Sequence, residues 1–351
     1  MSEHSFSLRT AQPADSAAIT SLITDSDGDM TTRFVIDPYT AITSGTDEQT
    51  LIVVAECEGY DGLVGMGTVR FGSVQYHGQV LPFAGLDGLK VKAEFRRHGL
   101  GRKLAEWRIE QARQAYGEDC VLITGLLRSN QASRAVATKW SREFIEPVRA
   151  VIKPVRQQLP HPLKNITMRE IEPRDYSEFA MQQNRFYRDY NLYRPTSPTM
   201  IANCLQIVTA DRQMYRLFVA VDKNGNLLAG ARVWLRGLLK VDVINQIPLA
   251  LRILNPILHV LPTDYTIRDI AVDGFWHTPG QEQVARYMWE AMRWHCAAFG
   301  STLAISVDPR SPLLNIFQLK PWHQPRIELA FAVHGPVSSE QHGLVYGLNR
   351  V

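Results

Sequence analysis

Four short signatures occur twice in this chain, in the same order. Leu8-Arg9 with Pro13 and Asp15 returns as Met168-Arg169 with Pro173 and Asp175, an offset of 160. Val54-Ala55 and Val64-Gly65 return as Val219-Ala220 and Ala229-Gly230, at 165. Leu89, Val91 and Gly99 return as Ile270, Val272 and Gly280 at 181, and Ile123-Thr124 with Arg128-Ser129 returns as Ile305-Ser306 with Arg310-Ser311 at 182. One such match is weak, but four in order with slowly growing offsets describe a duplicated unit. The length suits it, because 351 residues make a little over two domains. The reading is a first copy at 1–152, a linker at 153–164 holding Pro154, Pro160 and Pro162, and a second copy at 165–351. The jump from 165 to 181 places about 16 additional residues between Gly230 and Ile270, within the apolar stretch 238–262.

Within the first copy the pattern predicts a helix at 15–24, a hairpin of strands 51–56 and 63–71, and an extended segment 80–91. A helix at 99–116 then carries Ala105, Ile109, Ala112 and Tyr116 on one face and stops at Gly117. A buried strand at 120–126 and a helix at 129–140 follow. Antiparallel strands succeeded by strand–helix–strand–helix give an α/β protein of the α+β kind, with a mixed, largely antiparallel sheet and helices on both faces.

Composition narrows the function. Hydrophobic residues at 45% and charged residues at 21% exclude a disordered or fibrous chain. The 38 basic and 35 acidic residues leave a net charge of +3, too balanced for a dedicated nucleic-acid binder. The four cysteines form no C-x-x-C pair, so neither a metal site nor a disulfide framework is expected. No apolar leader follows Met1, and the stretch 238–262 is broken by charges and prolines. The expectation is a cytoplasmic protein without a membrane partner, for which a homodimer is open.

One segment concentrates chemistry. Leu86-Asp87-Gly88-Leu89-Lys90-Val91 runs as a strand into a loop with Arg96, Arg97, His98, Gly99, Leu100, Gly101 and Arg102, and a helix follows. Free amides at a helix N-terminus, close-approach glycines and clustered arginines make a pyrophosphate grip. The Walker A string G-x-x-x-x-G-K-[ST] is absent, and the third position of G-x-G-x-x-G is Leu104.

Val91 followed by Arg96-x-x-Gly99-x-Gly101 resembles the acyl-CoA motif of the GNAT N-acetyltransferase superfamily. Asn130-x-x-Ser133, after the next strand, resembles that family's second helix start. The resemblance covers most of 8–140, repeats weakly in the second copy, and implies two tandem GNAT-like domains. It also implies acetyl-CoA as co-substrate, with no metal. Leu89, Val91 and Lys92 would then offer backbone to pantetheine and thioester. Arg96, Arg97, His98, Gly99, Leu100, Gly101 and Arg102 would take the phosphates, and Asn130 would lie beside the pantetheine arm. Asn130 reads equally as a helix cap. Asp87, four residues before Val91, is the candidate general base for an attacking amine, against a structural reading beside Gly85 and Gly88. The family's acid, a tyrosine seven positions after the asparagine, is replaced by Ala137; Tyr39 and Tyr76 remain as candidates.

Carried at 181, Arg96 falls on His277, Arg97 on Thr278, Gly101 on Glu282 and Asp87 on Arg268; at 182, Asn130 falls on Pro312. The second copy is therefore expected to bind CoA weakly or not at all. Leu249, Ile253, Leu254, Ile257 and Leu258 are expected to pack between the copies, or to wall an acyl pocket. His295-Cys296 reads as a packed helix position. The expected activity is transfer of an acetyl group to a small-molecule or protein amine, whose pocket is built from the loop 27–46 and the second copy. Two alternatives are a non-catalytic CoA-binding protein and an aminoacyl-tRNA-dependent peptidyl transferase.

Overall fold

The first half of the chain runs β1 (Phe6–Thr10), α1 (Ser16–Thr24), β2 (Met30–Phe34), α2 (Pro38–Thr43), β3 (Thr50–Cys57), β4 (Gly65–Tyr76), β5 (Gln79–Val91), α3 (Leu100–Tyr116), β6 (Val121–Leu127), α4 (Gln131–Ala137) and β7 (Glu143–Pro154). The second half runs β8 (Ile166–Glu170), α5 (Tyr176–Phe186), β9 (Tyr190–Asn191), α6 (Pro198–Leu205), β10 (Val208–Thr209), β11 (Arg212–Gln213), β12 (Tyr215–Asp222) and β13 (Leu227–Trp234). It continues through β14 (Lys240–Ile244), β15 (Thr266–Ile267), β16 (Asp269–His277), α7 (Glu282–His295), β17 (Thr302–Val307), α8 (Leu313–Ile316), β18 (Ile327–His334) and β19 (Leu344–Val345). The computed structural model describes residues 5–24, 30–43, 49–247, 249, 252–253, 255, 261–317, 327–336 and 343–347.

The first repeated signature is a turn built twice. Pro13 and Pro173 each open a short 3-10 turn. Asp15 accepts from the Gln12 amide at 2.7 Å and pairs with Arg9 at 2.7 Å. Asp175 accepts from the Glu172 amide at 2.8 Å and pairs with Arg169 at 2.6 Å. The Leu-Arg and Met-Arg strands then pair antiparallel with β3 and β12 respectively.

Twelve strands form one sheet in the order β1-β3-β4-β5-β6-β18-β7-β17-β16-β13-β12-β8. The halves exchange edges in its middle. β18 of the second half lies antiparallel between β6 and β7 of the first, and β7 pairs in turn with β17. β7 runs through Pro154, so the first two residues of the proline-rich segment are strand. A flat sheet would hold β5 and β16, with four strands between them, about 24 Å apart at ~4.8 Å per step. Yet Phe83 of β5 and Asp273 of β16 line one cavity, so the sheet curls and its halves face each other.

The extra residues of the second half begin with β14, which pairs with β15 and with β2 of the first half. This small sheet roofs the space between the halves. Leu249 and Ile253 do not pack between the copies as expected. They are 71% and 65% exposed; Leu254, Ile257 and Leu258 lie outside the described residues. Cys296 is buried in the core and its thiol is pushed up to about 12 by burial, which suits a packed position rather than a nucleophile. No described helix is long and apolar enough to cross a membrane.

Candidate active site

Strands β5 and β6 run parallel and pair only from Phe83–Val121 to Gly85–Ile123. Beyond Gly85 they part. The cause is a bulge in β5, where Gly88 and Leu89 together face Gly67 between the Thr68–Asp87 and Met66–Lys90 pairs. Gly88 sits at φ +61°, which only glycine adopts without strain. The gap between the parted strands is a cavity of about 220 Å³ lined by Leu86, Gly88, Leu89, Arg108, Thr124 to Leu127, Asn130, Ser133, Val136, Ala137 and Trp140.

At the mouth of this gap stands the loop. Gly99 at φ +80° caps α3, and the first helical bond runs from the Arg102 amide to the Gly99 carbonyl at 3.1 Å. The amides before it point outward, free for an anion. Arg96, Arg97, His98 and Arg102 are exposed around them, Leu100 is buried in the core, and Gly101 is half-buried. Asn130 caps α4, accepting from the Ser133 amide at 3.0 Å, and also lines the cavity. The main chain expected of Val91 and Lys92 is already engaged. The Val91 carbonyl accepts from Arg96 Nε at 3.1 Å and the Lys92 amide donates to Val64 at 3.0 Å. Backbone facing the cavity is instead that of the Gly88-Leu89 bulge.

Arg108 is the residue the sequence reading missed. It lies on the buried face of α3 between Leu104, Ala105, Ile109 and Ala112, where a cation breaks an apolar stripe; that interruption is the signal that could have found it. Its side chain donates to the carbonyls of Leu104 at 3.0 Å, Asp87 at 3.0 Å and Thr68 at 3.4 Å. Among the described residues, no carboxylate lies within ion-pair distance of it. The residue is 2% exposed, and burial pulls its guanidinium down to about 10, which leaves it charged at neutral pH. Gly67 makes room for it: a Cβ there would stand 3.0 Å from Arg108 Nε.

On the opposite side of β5 lies a second, more apolar cleft of about 360 Å³. Thr32, Phe34, Ala41 and Ile42 come from the first half, and Trp234, Arg236, Leu239 and Lys240 from the second. Residues 27–29 and 44–46 of the expected loop lie outside the described residues. Asp87 lines this cleft, its carboxylate accepting from Arg70 Nε at 2.8 Å and Nη2 at 2.5 Å. Gly88 and Leu89 line both cavities. Tyr76 does not belong here. Its buried hydroxyl donates to Glu143 at 2.6 Å, eight residues and about 26 Å along β4 from Thr68. Tyr39, on α2, packs against the cluster of Ile52 and Val54 and lines neither cavity.

The second copy repeats the bulge with a different register from the one expected. Gly274, at φ +58°, occupies in β16 the place of Gly88, an offset of 186. Asp87 therefore corresponds to Asp273, paired with Arg232, and not to Arg268. Gly99 still matches Gly280 at 181. The loop between strand and helix is thus five residues shorter, and Arg96 and Arg97 have no counterparts; His277 ends the strand instead. The parting of β16 and β17 is filled by the chain itself. Tyr346 Oη accepts from the Gly274 amide at 2.7 Å, and the Val345 amide donates to Asp308 at 3.0 Å. Calorimetric titration with CoA is expected to saturate at one equivalent per chain; two would show that Tyr346 yields its place.

A parallel strand pair that opens beside an amide-rich helix start is the architecture of acyl-CoA-dependent N-acyltransferases. Residues 19–141 match the acetyltransferase (GNAT) family model. No curated protein matches the chain by sequence. Among solved structures it is similar to the N-myristoyltransferase of Saccharomyces cerevisiae with bound myristoyl-CoA, with a TM-score of 0.61 and 10% identity over 94% of this chain and 78% of that one. It is also similar to a GCN5-related N-acetyltransferase from Sphaerobacter thermophilus, with a TM-score of 0.55 and 15% identity over 94% of each chain. A third, from Kribbella flavida, has a TM-score of 0.52 and 12% identity over 94% of this chain and 71% of that one. At these identities the likeness is one of fold.

Proposed function

We propose that the protein transfers an acetyl group from acetyl-CoA to an amine by direct attack within a ternary complex. The observation that carries this reading is the pair of cavities on opposite sides of β5 that share Gly88 and Leu89. The first is lined by β5, β6, α3 and α4 and the second by residues of both halves of the chain, so two substrates can meet at the bulge from its two sides. The α3 amides with Arg96, Arg97, His98 and Arg102 take the pyrophosphate. Leu89 and Asn130 flank the pantetheine arm, and the bulge amides hold the thioester oxygen as it gains charge. Asp87, fixed by Arg70, takes the ammonium proton through water.

Arg108 fits the step for which no tyrosine is present. A thiolate leaving into the cavity meets a buried cation, which stabilises the negative charge without delivering a proton. In low-dielectric surroundings such a charge acts far more strongly than it would in water.

The test is thiol release from acetyl-, butyryl-, octanoyl- and myristoyl-CoA against a panel of amines. A cavity of about 220 Å³ suits a pantetheine arm with a short acyl group. The rate is expected to fall at least tenfold from acetyl to octanoyl. A maximum at octanoyl or myristoyl would overturn the acetyl assignment. CoA binding with no turnover on any amine would favour a non-catalytic role.

A further inference from the structure

The acceptor cleft carries a charge that an ordinary amine would not choose. Its walls hold Arg70, Lys90, Arg236 and Lys240 against one carboxylate, Asp87. An adjoining cavity shares Arg70 and Trp234 with it and adds Arg194 and Arg232 against Asp273. Some of these charges are matched. Arg70 pairs with Asp87, Arg232 with Asp273, and Arg236 with Asp269 at 2.9 Å. Lys240 makes no ion pair or hydrogen bond among the described residues. It opens β14, the strand that crosses to β2 as the roof of the cleft. The residue is exposed where it opens β14, and its side chain lines the cleft. Burial, and then the neighbouring Arg236, lower its proton affinity. Asp242 and Asp269 act in the opposite sense, each more weakly than Arg236, and the net direction stays down.

An amine acceptor is itself protonated before it reacts. Brought alone into this cleft, it would add a further positive charge to a cationic wall. It enters favourably when it brings an anion that the wall can take. The remaining surface is apolar, with Phe34, Ile42, Met66 and Leu239.

Resting on the acyltransferase reading, we infer that the acceptor is a small amino carboxylate with an apolar body, an amino acid whose carboxylate is held at Lys240 and Arg236 while its amine faces Asp87 and the bulge. One molecule thereby satisfies both signs of charge. The Lys240 end takes the carboxylate and the Asp87 end the ammonium, and the apolar wall between them takes the side chain.

The experiment compares matched pairs that differ only in the carboxylate: leucine with isoamylamine, and phenylalanine with phenethylamine. With acetyl-CoA saturating, kcat/KM is expected to be at least tenfold higher for the amino acid of each pair. Lys240→Gln is expected to reduce that ratio about tenfold, and Lys240→Arg to restore it. Equilibrium binding of the same four compounds to the CoA-bound protein, read by calorimetry, gives the same ratio without turnover. Amino acids binding no tighter than their decarboxylated partners would overturn the inference. So would a preference unmoved by Lys240→Gln. Tight, carboxylate-dependent binding with no thiol release would instead overturn the acyltransferase reading and leave this inference standing.

Discussion

Arg108→Met is expected to lower kcat at least about 100-fold while leaving the protein as stable as the parent, or more stable. The two effects share one cause. A guanidinium held only by three main-chain carbonyls, with no carboxylate at ion-pair distance, is a poor stabilising device. Burial pulls its proton affinity down to about 10, and at ~1.4 kcal/mol per tenfold this corresponds to a cost on the order of 3 kcal/mol. Because the folded value is the lower one, the cost is fully present below pH 10 and fades only as pH rises from there toward the free guanidinium range. Replacing a buried charge with an apolar side chain of similar length is often neutral or stabilising. The expected change is therefore 0 to about 2 kcal/mol in favour of the variant, read by denaturant unfolding. A 100-fold loss in kcat is about 2.7 kcal/mol of transition-state stabilisation, the size found when one preorganised donor is removed from a developing charge. Arg108→Lys, which keeps the charge, is expected to recover part of the rate. A variant that loses stability but keeps kcat would make Arg108 a structural residue and remove it from the mechanism.

Gly99→Glu is expected to weaken CoA binding at least 100-fold. Two terms add. A side chain at φ +80° is strained, and a carboxylate at the helix start stands where phosphate oxygens must sit. Like charges ~4 Å apart repel by about 4 kcal/mol at an effective dielectric of 20, more than enough for the stated loss. The control is Gly117→Glu at the other end of α3. Gly117 also has φ +80° and nothing within 4 Å of an added Cβ, and its ψ of −176° makes a side chain there more strained still, so it carries at least that strain and the same charge. It lies about 25 Å away along a helix of 17 residues. CoA affinity is expected to be unchanged in that variant. Equal losses in both would move the CoA site away from the loop, and unchanged affinity in both would do the same.

Much of the site was legible in the sequence because it is local. A glycine-capped helix start and its arginines occupy seven consecutive residues, and free amides at such a start are suited to an anion. The Arg–Pro–Asp turn at Arg9 and Arg169 is local too, closed within seven residues. What escaped was set by register. Asp87 was carried to Arg268 by a constant offset, whereas the bulge at Gly274 shows that the intervening loop had lost five residues, so the true counterpart is Asp273. Arg108 could have been suspected from its place on an apolar stripe. Its lack of a carboxylate partner could not, because that depends on β4 and β5 packing above it.

The sequence by itself determined an α/β chain, a basic loop with two glycines at a helix start in its first half, and Asp87 and Gly88 ahead of that loop on one strand. Each follows from spacing within a few tens of residues, where helix and strand periods translate directly into faces. Only the tertiary structure decided that β18 inserts between β6 and β7, that Tyr346 fills the second parting, and that Lys240 reaches across to roof the acceptor cleft. These contacts join residues up to about 210 apart through short apolar strands, of which the chain has many. Strand pairing repeats every two residues, so the local pattern leaves the partner open. Which partner is taken depends on which arrangement buries the most apolar surface across the whole curled sheet.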